Sequence, residues 1–354
     1  VNVTLYRQDV DLARPVRASA QAHNSRSRLF LCIDADGVTG FGEVAPQPHE
    51  LNGDPGVDDV IGALRALVTR LEGVVAREGA LPSWSRVAQL GAATPVDNVA
   101  TALAEMAVLD RELRAASSDA RALWTSLFDT PQQATCSLLD DDTTWDVPDN
   151  VTRVRAKIAP GPLSERAMDR LAQLNVPVLV DYNCSASSDD EVRRHVDQIR
   201  DVATISAVEQ PYAAGNVADH ARLAKRLDVP VSIDEGVRSM RDLTQIVNYG
   251  AATMVCVKPA RVGGLSKART MIARADELGL VAYLGGFFES PFARHVHQLF
   301  ANSCVREPSD LGAVELRHGT VDELERVAFS FGVEPSRATL EHARRLFVTG
   351  EGAS

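Results

Sequence analysis

The sequence predicts an α/β protein, a barrel of alternating parallel strands and helices preceded by a smaller α+β domain. Three observations carry that reading. Five short apolar runs between Arg153 and Pro259 each end at a residue able to do chemistry: RVRAKI at Lys157, VPVLVDYN at Asp181, ISAVEQP at Glu209, VPVSIDE at Asp234 and TMVCVKP at Lys258. These residues lie 24, 28, 25 and 24 positions apart, too far for hairpins and right for a strand, a helix and two loops. Runs such as VPVLV are solidly apolar, as strands covered on both faces must be. A charged residue at the end of each successive parallel strand is the pattern of an active site on the C-terminal rim of a β/α barrel. A doubly wound open sheet would instead gather its site at a glycine-rich turn, and no GxGxxG follows a strand here.

Residues 1–45 read as antiparallel. LFLCIDAD alternates toward a turn at Asp36-Gly37 and VTGFGEVAP returns from it, a hairpin pattern. The polar stretch before it, RPVRASAQAHNSRS, reads as a loop. The stretch after it, PQPHELNGDPGV, is irregular by its prolines and glycines. These loops either cover a neighbouring domain as a lid or simply connect. A helix follows over Asp58–Glu78, with Val60, Ile61, Leu64, Leu67, Val68 and Leu71 on one face. A second runs from Pro95 to about Ala116, alanine-rich and apolar nearly all round, which demands tight packing on its neighbours.

From Ala134 strand and helix alternate. ATCSLL is the first strand, the five runs above are the second to sixth, LVAYLGG (Leu280–Gly286) is the seventh, and GAVEL (Gly312–Leu316) is a weak eighth. Helical segments lie between them: LSERAMDRLAQL, DEVRRHVDQIRDV, VADHARLAKRL, SMRDLTQIVNYG and LSKARTMIARADELG. The tail from Val321 reads as helical and charged, returning to the N-terminal domain. The expected division is a domain over 1–115, completed by 321–354, and a barrel over 116–320.

A net charge of −11 excludes nucleic acid as the default partner, since phosphate binding needs a basic face. An anionic substrate would need a local positive spot. The five cysteines (Cys32, Cys136, Cys184, Cys256, Cys304) show no CxxC spacing and read as reduced thiols. There is no apolar run of membrane-spanning length, and VNVTLYRQDV has no signal-peptide pattern, so a cytoplasmic protein with no membrane partner is expected. Aromatic residues are 5% of the chain; this gives few interface anchors and leaves a homo-oligomer open.

Asp181, Glu209 and Asp234 end consecutive strands and so sit side by side. Any one of them could cap a helix or pair with a rim arginine. Three in register repel one another unless a cation neutralises them. Oxygen donors without a neighbouring histidine or cysteine suit Mg²⁺, or Mn²⁺, over zinc. Lys157 precedes the trio by one strand and Lys258 follows it by one. A divalent ion bracketed by two lysines is an arrangement for removing a proton next to a carboxylate. The ion, helped by Arg155 and Arg261, would lower the lysines into the range of a useful base.

At these residues the sequence resembles the enolase superfamily, in its muconate-lactonising branch. RAK at 155–157 stands where that branch has Lys-x-Lys, and VDYN, AVEQP, SIDE and VKPARVGG stand at its three metal ligands and its second lysine. The resemblance runs over essentially the whole chain and implies a (β/α)7β modified TIM barrel with an α+β N-terminal capping domain. KPARVGG followed by GGFFES is most similar to the o-succinylbenzoate synthases and the related racemases of N-acylamino acids.

That resemblance implies Mg²⁺, with Mn²⁺ as an alternative, on Asp181, Glu209 and Asp234. Lys157 would take the α-proton of a cyclohexadiene carboxylate and return it to the departing hydroxyl, a syn dehydration that belongs to menaquinone biosynthesis. Lys258 would face the other side as a cation; in a racemase both lysines would exchange protons. Glu235 would support the ligands, and Ser137, Gly285, Gly286, Arg155 and Arg261 would touch the substrate. The alternatives are an N-acylamino acid racemase, another epimerase or cycloisomerase, or a non-catalytic barrel that binds a small acid.

Two departures stand out. Arg155 replaces the first lysine of Lys-x-Lys; it keeps the charge and cannot serve as a base, while the catalytic position is the second. QAHNSRSR and PQPHELNGDP should close over the substrate's distal end but match no single substrate. His23 and His49 there either contact a carboxylate or face solvent.

Overall fold

The computed structural model describes residues 1–354 apart from 19–20, 92–93, 125–128, 138–146, 150, 313–315 and 350–354; the side chains of 14–18, 21–23, 132, 136 and 137 are also outside the described set. The chain opens with three antiparallel strands, β1 (Asn2–Ala18), β2 (Gln21–Ala35) and β3 (Val38–Val44). The stretch expected as a loop, RPVRASAQAHNSRS, is instead the far end of the β1–β2 ribbon, where Val16 pairs with His23 and Ala18 with Gln21. Its polar sequence hid it, because a two-stranded ribbon can satisfy its backbone without an apolar face.

Three helices follow: α1 (Val57–Glu78), α2 (Trp84–Leu90), which the sequence reading missed, and α3 (Pro95–Ala115). In α1 the buried residues Val57, Val60, Leu64, Leu67, Leu71 and Val74 recur every three or four positions, and with Val68 they form one stripe. Its end is set by Gly79 in the left-handed conformation at φ 71°. α3 starts at Thr94, whose hydroxyl accepts from Asp97 N at 3.1 Å, with Pro95 in the first turn. Such a cap stabilises a helix by about 1 kcal/mol. Its central residues from Asn98 to Asp110 are all buried, so the alanine-rich surface is covered on every side.

After a short α4 (Ala120–Leu123) the parallel repeat begins. It runs through β4 (Gln132–Ser137), β5 (Val151–Lys157), α5 (Glu165–Ala172), β6 (Val178–Asp181), α6 (Asp189–Arg200), β7 (Ile205–Glu209), α7 (Val217–Ala224) and β8 (Val231–Ile233). It continues through α8 (Met240–Tyr249), β9 (Met254–Val257), α9 (Pro259–Val262), α10 (Leu265–Glu277), β10 (Val281–Leu284) and α11 (Pro291–Ala301). Helices α9 and α11 were not anticipated. The strands form one seven-stranded parallel sheet in chain order, β4 to β10. Alternation puts Val178 and Val180 of β6 against helices, in a cluster with Val192, Val196 and Ile199. Leu179, Ala207, Met254, Cys256 and Tyr283 point the other way into a separate cluster that fills the interior.

Two residues link the edges of this curled sheet. Asp310 N donates to Leu284 O beside β10 at 2.9 Å, while Ser309 N donates to Pro131 O and Gln133 N to Ser309 O at 2.9 and 3.0 Å beside β4. The eighth strand expected at Gly312–Leu316 falls mostly outside the described residues, and the last two residues of the expected first strand, 138–139, do as well.

The tail is not the expected helical segment; it holds three short strands and one short helix, β11 (Leu324–Arg326), β12 (Val333–Pro335), α12 (Arg337–His342) and β13 (Arg344–Thr349). β13 pairs antiparallel with β1, giving a sheet ordered β13-β1-β2-β3. High charge misled the reading: an edge strand with a solvated face carries Arg344 and Arg345 at no penalty.

Two carboxylates from the N-terminal segment cap helices beside the parallel sheet. Glu43 of β3 accepts from Ser290 N at 2.6 Å and from Ala293 N at 3.3 Å at the start of α11. Glu105 of α3 accepts from Leu265 N at 2.5 Å and from Ser266 N at 3.0 Å at the start of α10. Glu105 fits because Gly264 has no side chain: a Cβ there would land on Glu105 Oε2, and its φ of 114° suits only glycine.

Candidate active site

The parallel register sets the site. Ser137 pairs with Lys157, Lys157 with Asp181, and Asp181 with Glu209, so the strand ends form one layer. Period-two alternation then turns Arg155 and Lys157 of β5, Asp181, Glu209, Asp234 after β8, and Lys258 after β9 into the same interior. All six are buried, the three acids completely.

The acids and cations interlock. Lys157 Nζ donates to Asp181 Oδ2 at 2.8 Å and to Asn183 Oδ1 at 2.6 Å. Lys258 Nζ donates to Asp234 Oδ2 at 2.9 Å and lies 4.6 Å from the centre of the Phe287 ring. Arg155 Nη2 lies 2.9 Å from Asp181 Oδ2 and 3.1 Å from Asp234 Oδ2, and is also bonded to Glu209 Oε1. Its Nη1 reaches Asp310 Oδ2 at 3.3 Å. Arg261 Nη1 donates to Asp234 Oδ1 at 2.5 Å, and its Nε and Nη2 donate to both oxygens of Asp54 at 2.8 and 2.7 Å.

The charges follow from these contacts. Burial raises Asp181, but Arg155 and Lys157 outweigh it and hold the carboxyl below its usual range. Asp234 is likewise held well down against burial, by Lys258, Arg261 and Arg155. Burial pushes Glu209 up to about 8 against the pull of Arg155, with Asp181 and Asp234 adding to the rise. Burial lowers Lys258, but the Asp234 carboxylate overcomes it and the net shift is upward. The lysine was expected to be lowered by neighbouring cations; its pairing with Asp234 reverses that.

The other predicted residues are placed as follows. Glu235 is buried; its Oε1 accepts from Asn183 Nδ2 at 3.3 Å, while Oε2 has no partner. Burial raises it, and the Asp234 and Asp181 charges add to that. Gly285 abuts Lys258: a Cβ there would stand 2.6 Å from Cys256 Sγ and 2.8 Å from Lys258 Cε. Gly286 lies against Glu289 and Arg294. Ser137 ends β4 in register with Lys157, its side chain outside the described set. His49 is exposed, and the His23 side chain is outside the description.

Several residues were not singled out from sequence. Tyr283 donates its hydroxyl to Glu209 Oε2 and lies 2.8 Å from Ser232 Oγ. Gln210 Oε1 accepts from Asp234 N and Gly236 N at 2.9 and 3.1 Å, fixing the turn after β8. Asn183, Cys184 and Gln210 adopt positive φ of 44°, 68° and 38° in the turns that follow Asp181 and Glu209, strain of the kind that collects at working sites. The expectation of no nearby cysteine is corrected: Cys256 Sγ lies within 4.8 Å of ligand oxygens of Glu209 and Asp234. Burial raises its thiol well above the usual range, so it is a neutral neighbour in place of a competing thiolate ligand.

The donor set suits a hard divalent ion. Oxygens of three buried carboxylates converge on one point, the position of Arg155 Nη2, and no described histidine joins them. Asp181, Glu209 and Asp234 would be the residues to hold such an ion, with oxygens of Glu209 and Asp234 within 4.8 Å of each other.

Residues 147–330 match the family model described as Enolase C-terminal domain-like. Among curated relatives, the o-succinylbenzoate synthase of Bacillus subtilis is 27% identical over 301 residues, 82% of this chain and 79% of that protein. The N-succinylamino acid racemase of an Amycolatopsis species is 27% identical over 311 residues, 85% and 82% of the two chains. The o-succinylbenzoate synthase of Enterococcus faecalis is 33% identical over 165 residues, and that match spans only 46% of this chain and 44% of that protein. The N-succinyl Arg/Lys racemase structure from Bacillus cereus superposes with a TM-score of 0.80 at 18% identity, covering 98% of each chain; this likeness concerns the fold alone.

Proposed function

The chain belongs to the enolase superfamily, a metal-dependent lyase or isomerase, and on that premise we propose that it is an o-succinylbenzoate synthase of menaquinone biosynthesis. The observation that carries the chemistry is the placement of two buried lysines on opposite flanks of the acid triad. Lys157 is bonded to Asp181 at one end of the trio and Lys258 to Asp234 at the other.

Asp181, Glu209 and Asp234 would hold a divalent ion, which when bound would supply positive charge to offset the anion formed on loss of the α-proton. Lys157, in its neutral form, takes the α-proton and becomes an ammonium. It then delivers that proton to the neighbouring hydroxyl, which leaves as water while the ring becomes aromatic. One residue thus removes and returns the proton, and the loss is syn. Lys258 stays charged, held so by Asp234, and stabilises the anion from the far side. Phe287, against Lys258, and the buried walls exclude water. Arg261 ties Asp234 to Asp54 of the loop before α1, so the loop that borders the substrate's distal end is braced against a ligand carboxylate.

Racemisation of an N-succinylamino acid is the second reading, supported by equal identity to the Amycolatopsis racemase over a similar span. It would need Lys258 to release a proton. Assay of the purified chain on both substrates separates the two. Absorbance follows the cyclohexadiene carboxylate with Mg²⁺ and then EDTA, and NMR follows α-proton exchange of N-succinylamino acids in D₂O. The synthase reading expects rapid, EDTA-sensitive dehydration; exchange without dehydration would replace it with the racemase.

A further inference from the structure

Arg155 leaves β5 on the same face as Lys157, two residues earlier, and its guanidinium climbs to the layer of the acids. A single nitrogen, Nη2, is bonded to Asp181 Oδ2 at 2.9 Å, to Asp234 Oδ2 at 3.1 Å and to Glu209 Oε1. A divalent ion held by all three acids would need that same point, with oxygens at about 2.1 Å for Mg²⁺. Ion and guanidinium cannot both stand there, by size and by charge. An arginine cannot yield by losing its proton; it can only move.

The structure offers it a second seat. Nη1 already touches Asp310 Oδ2 at 3.3 Å, on the segment that links the edges of the barrel sheet, and that carboxylate is 17% exposed where the three acids are at 0%. Arg155 Nε is buried without a hydrogen-bond partner, so the present seat leaves one donor unused. We propose that Arg155 is a built-in competitor for the divalent-ion site: a positioning residue that neutralises the acid triad itself and must turn toward Asp310 before an ion can engage all three acids. The inference rests on the reading of Asp181, Glu209 and Asp234 as the ion's ligands. It gives this chain a weaker hold on the ion than a triad without an internal cation, and a fold that does not depend on the ion for charge balance.

The test is titration of Mn²⁺ into the full chain, followed by calorimetry and by the Mn²⁺ electron paramagnetic resonance signal, for wild type, Arg155→Met and Arg155→Lys. Arg155→Met is expected to bind Mn²⁺ roughly tenfold or more tighter than wild type, since a full charge leaves the centre. Arg155→Lys, with a shorter side chain and no second terminal nitrogen, is expected between them, and it carries the comparison if the neutral variant fails to fold. With equal Mn²⁺ present beforehand, EDTA is expected to lower the melting temperature of Arg155→Met by more than that of wild type. A merely structural arginine would act in the opposite direction, its loss loosening the acids and weakening the ion. Equal affinity in all three proteins would overturn the competition while leaving the ion site intact. No binding by any of them would overturn both the competition and the ligand assignment.

Discussion

Arg261 joins both oxygens of Asp54 through its Nε and Nη2 at 2.8 and 2.7 Å, linking residues 207 positions apart. Asp54 lies in the proline- and glycine-rich loop before α1, and Arg261 is held in turn by Asp234. The pair therefore transmits the position of a surface loop to a site carboxylate. Asp54→Ala is expected to destabilise the protein by about 2 kcal/mol, since Arg261 keeps one carboxylate partner and loses a bidentate one. Urea unfolding measures the stability, and KM should rise more than kcat falls. Unchanged stability and KM would show that the loop needs no such tie.

Glu105 carries a pH dependence whose sign is opposite to that of an exposed salt-bridged acid. Burial pushes its carboxyl from an ordinary 4.5 up to about 7, against hydrogen bonds from Ser266 and Leu265 and the charge of Lys267. Between those two values the folded protein keeps a proton that the unfolded chain has released, so stability falls as pH rises through the window. Below it both states are protonated and above it both are ionised, and this group adds no slope. The share expected from Glu105 between pH 5 and 8 is roughly 2–3 kcal/mol. Unfolding curves at several pH values should show Glu105→Gln less pH-dependent than wild type by that amount; parallel profiles would refute it.

Gly285→Ala should disturb catalysis before it disturbs the fold. The new methyl would press on Cys256 Sγ and Lys258 Cε, displacing the lysine by a fraction of an ångström in a packed interior. The expected stability loss is about 1–3 kcal/mol, with kcat lower by about 10²-fold. Retention of full kcat would show that Lys258 has no fixed position in the reaction.

The gathering of charged strand-end residues in one layer was legible because each buried parallel strand is an unbroken apolar run, so the first charge after it stands out. Lys157, Asp181, Glu209, Asp234 and Lys258 were visible for that reason. Tyr283 and Cys256 were not, since LVAYL and MVCV read as plain core; only the fold shows that alternation turns these two into the barrel beneath the acids. Nor could sequence show that Arg155 reaches three carboxylates at once, or that Asp54 meets Arg261. Such contacts depend on tertiary closure, not on local pattern. The polar β1–β2 ribbon and the charged strand β13 were misread because neither shows the apolar alternation of a half-buried strand.

Tyr283 orients Glu209 from within the barrel, its hydroxyl bonded to the Oε2 oxygen while Oε1 faces Arg155. Tyr283→Phe leaves the ring's packing and removes the donor. Affinity for Mn²⁺ is expected to fall roughly tenfold or more, as for other groups that orient a ligand from behind. Calorimetric titration gives the value, and an unchanged affinity would mean that Glu209 needs no such support.

The most direct test of the proposed mechanism compares wild type, Lys157→Ala and Lys258→Arg on the cyclohexadiene carboxylate at saturating Mg²⁺. With Lys157 as the base that removes and returns the proton, Lys157→Ala should lose about 10³-fold in kcat with KM little changed. Lys258→Arg, which keeps a cation beside Asp234, should retain measurable turnover. A Lys157→Ala enzyme within tenfold of wild type, or a Lys258→Arg enzyme as inactive as Lys157→Ala, would contradict the assignment of one lysine as base and the other as fixed charge.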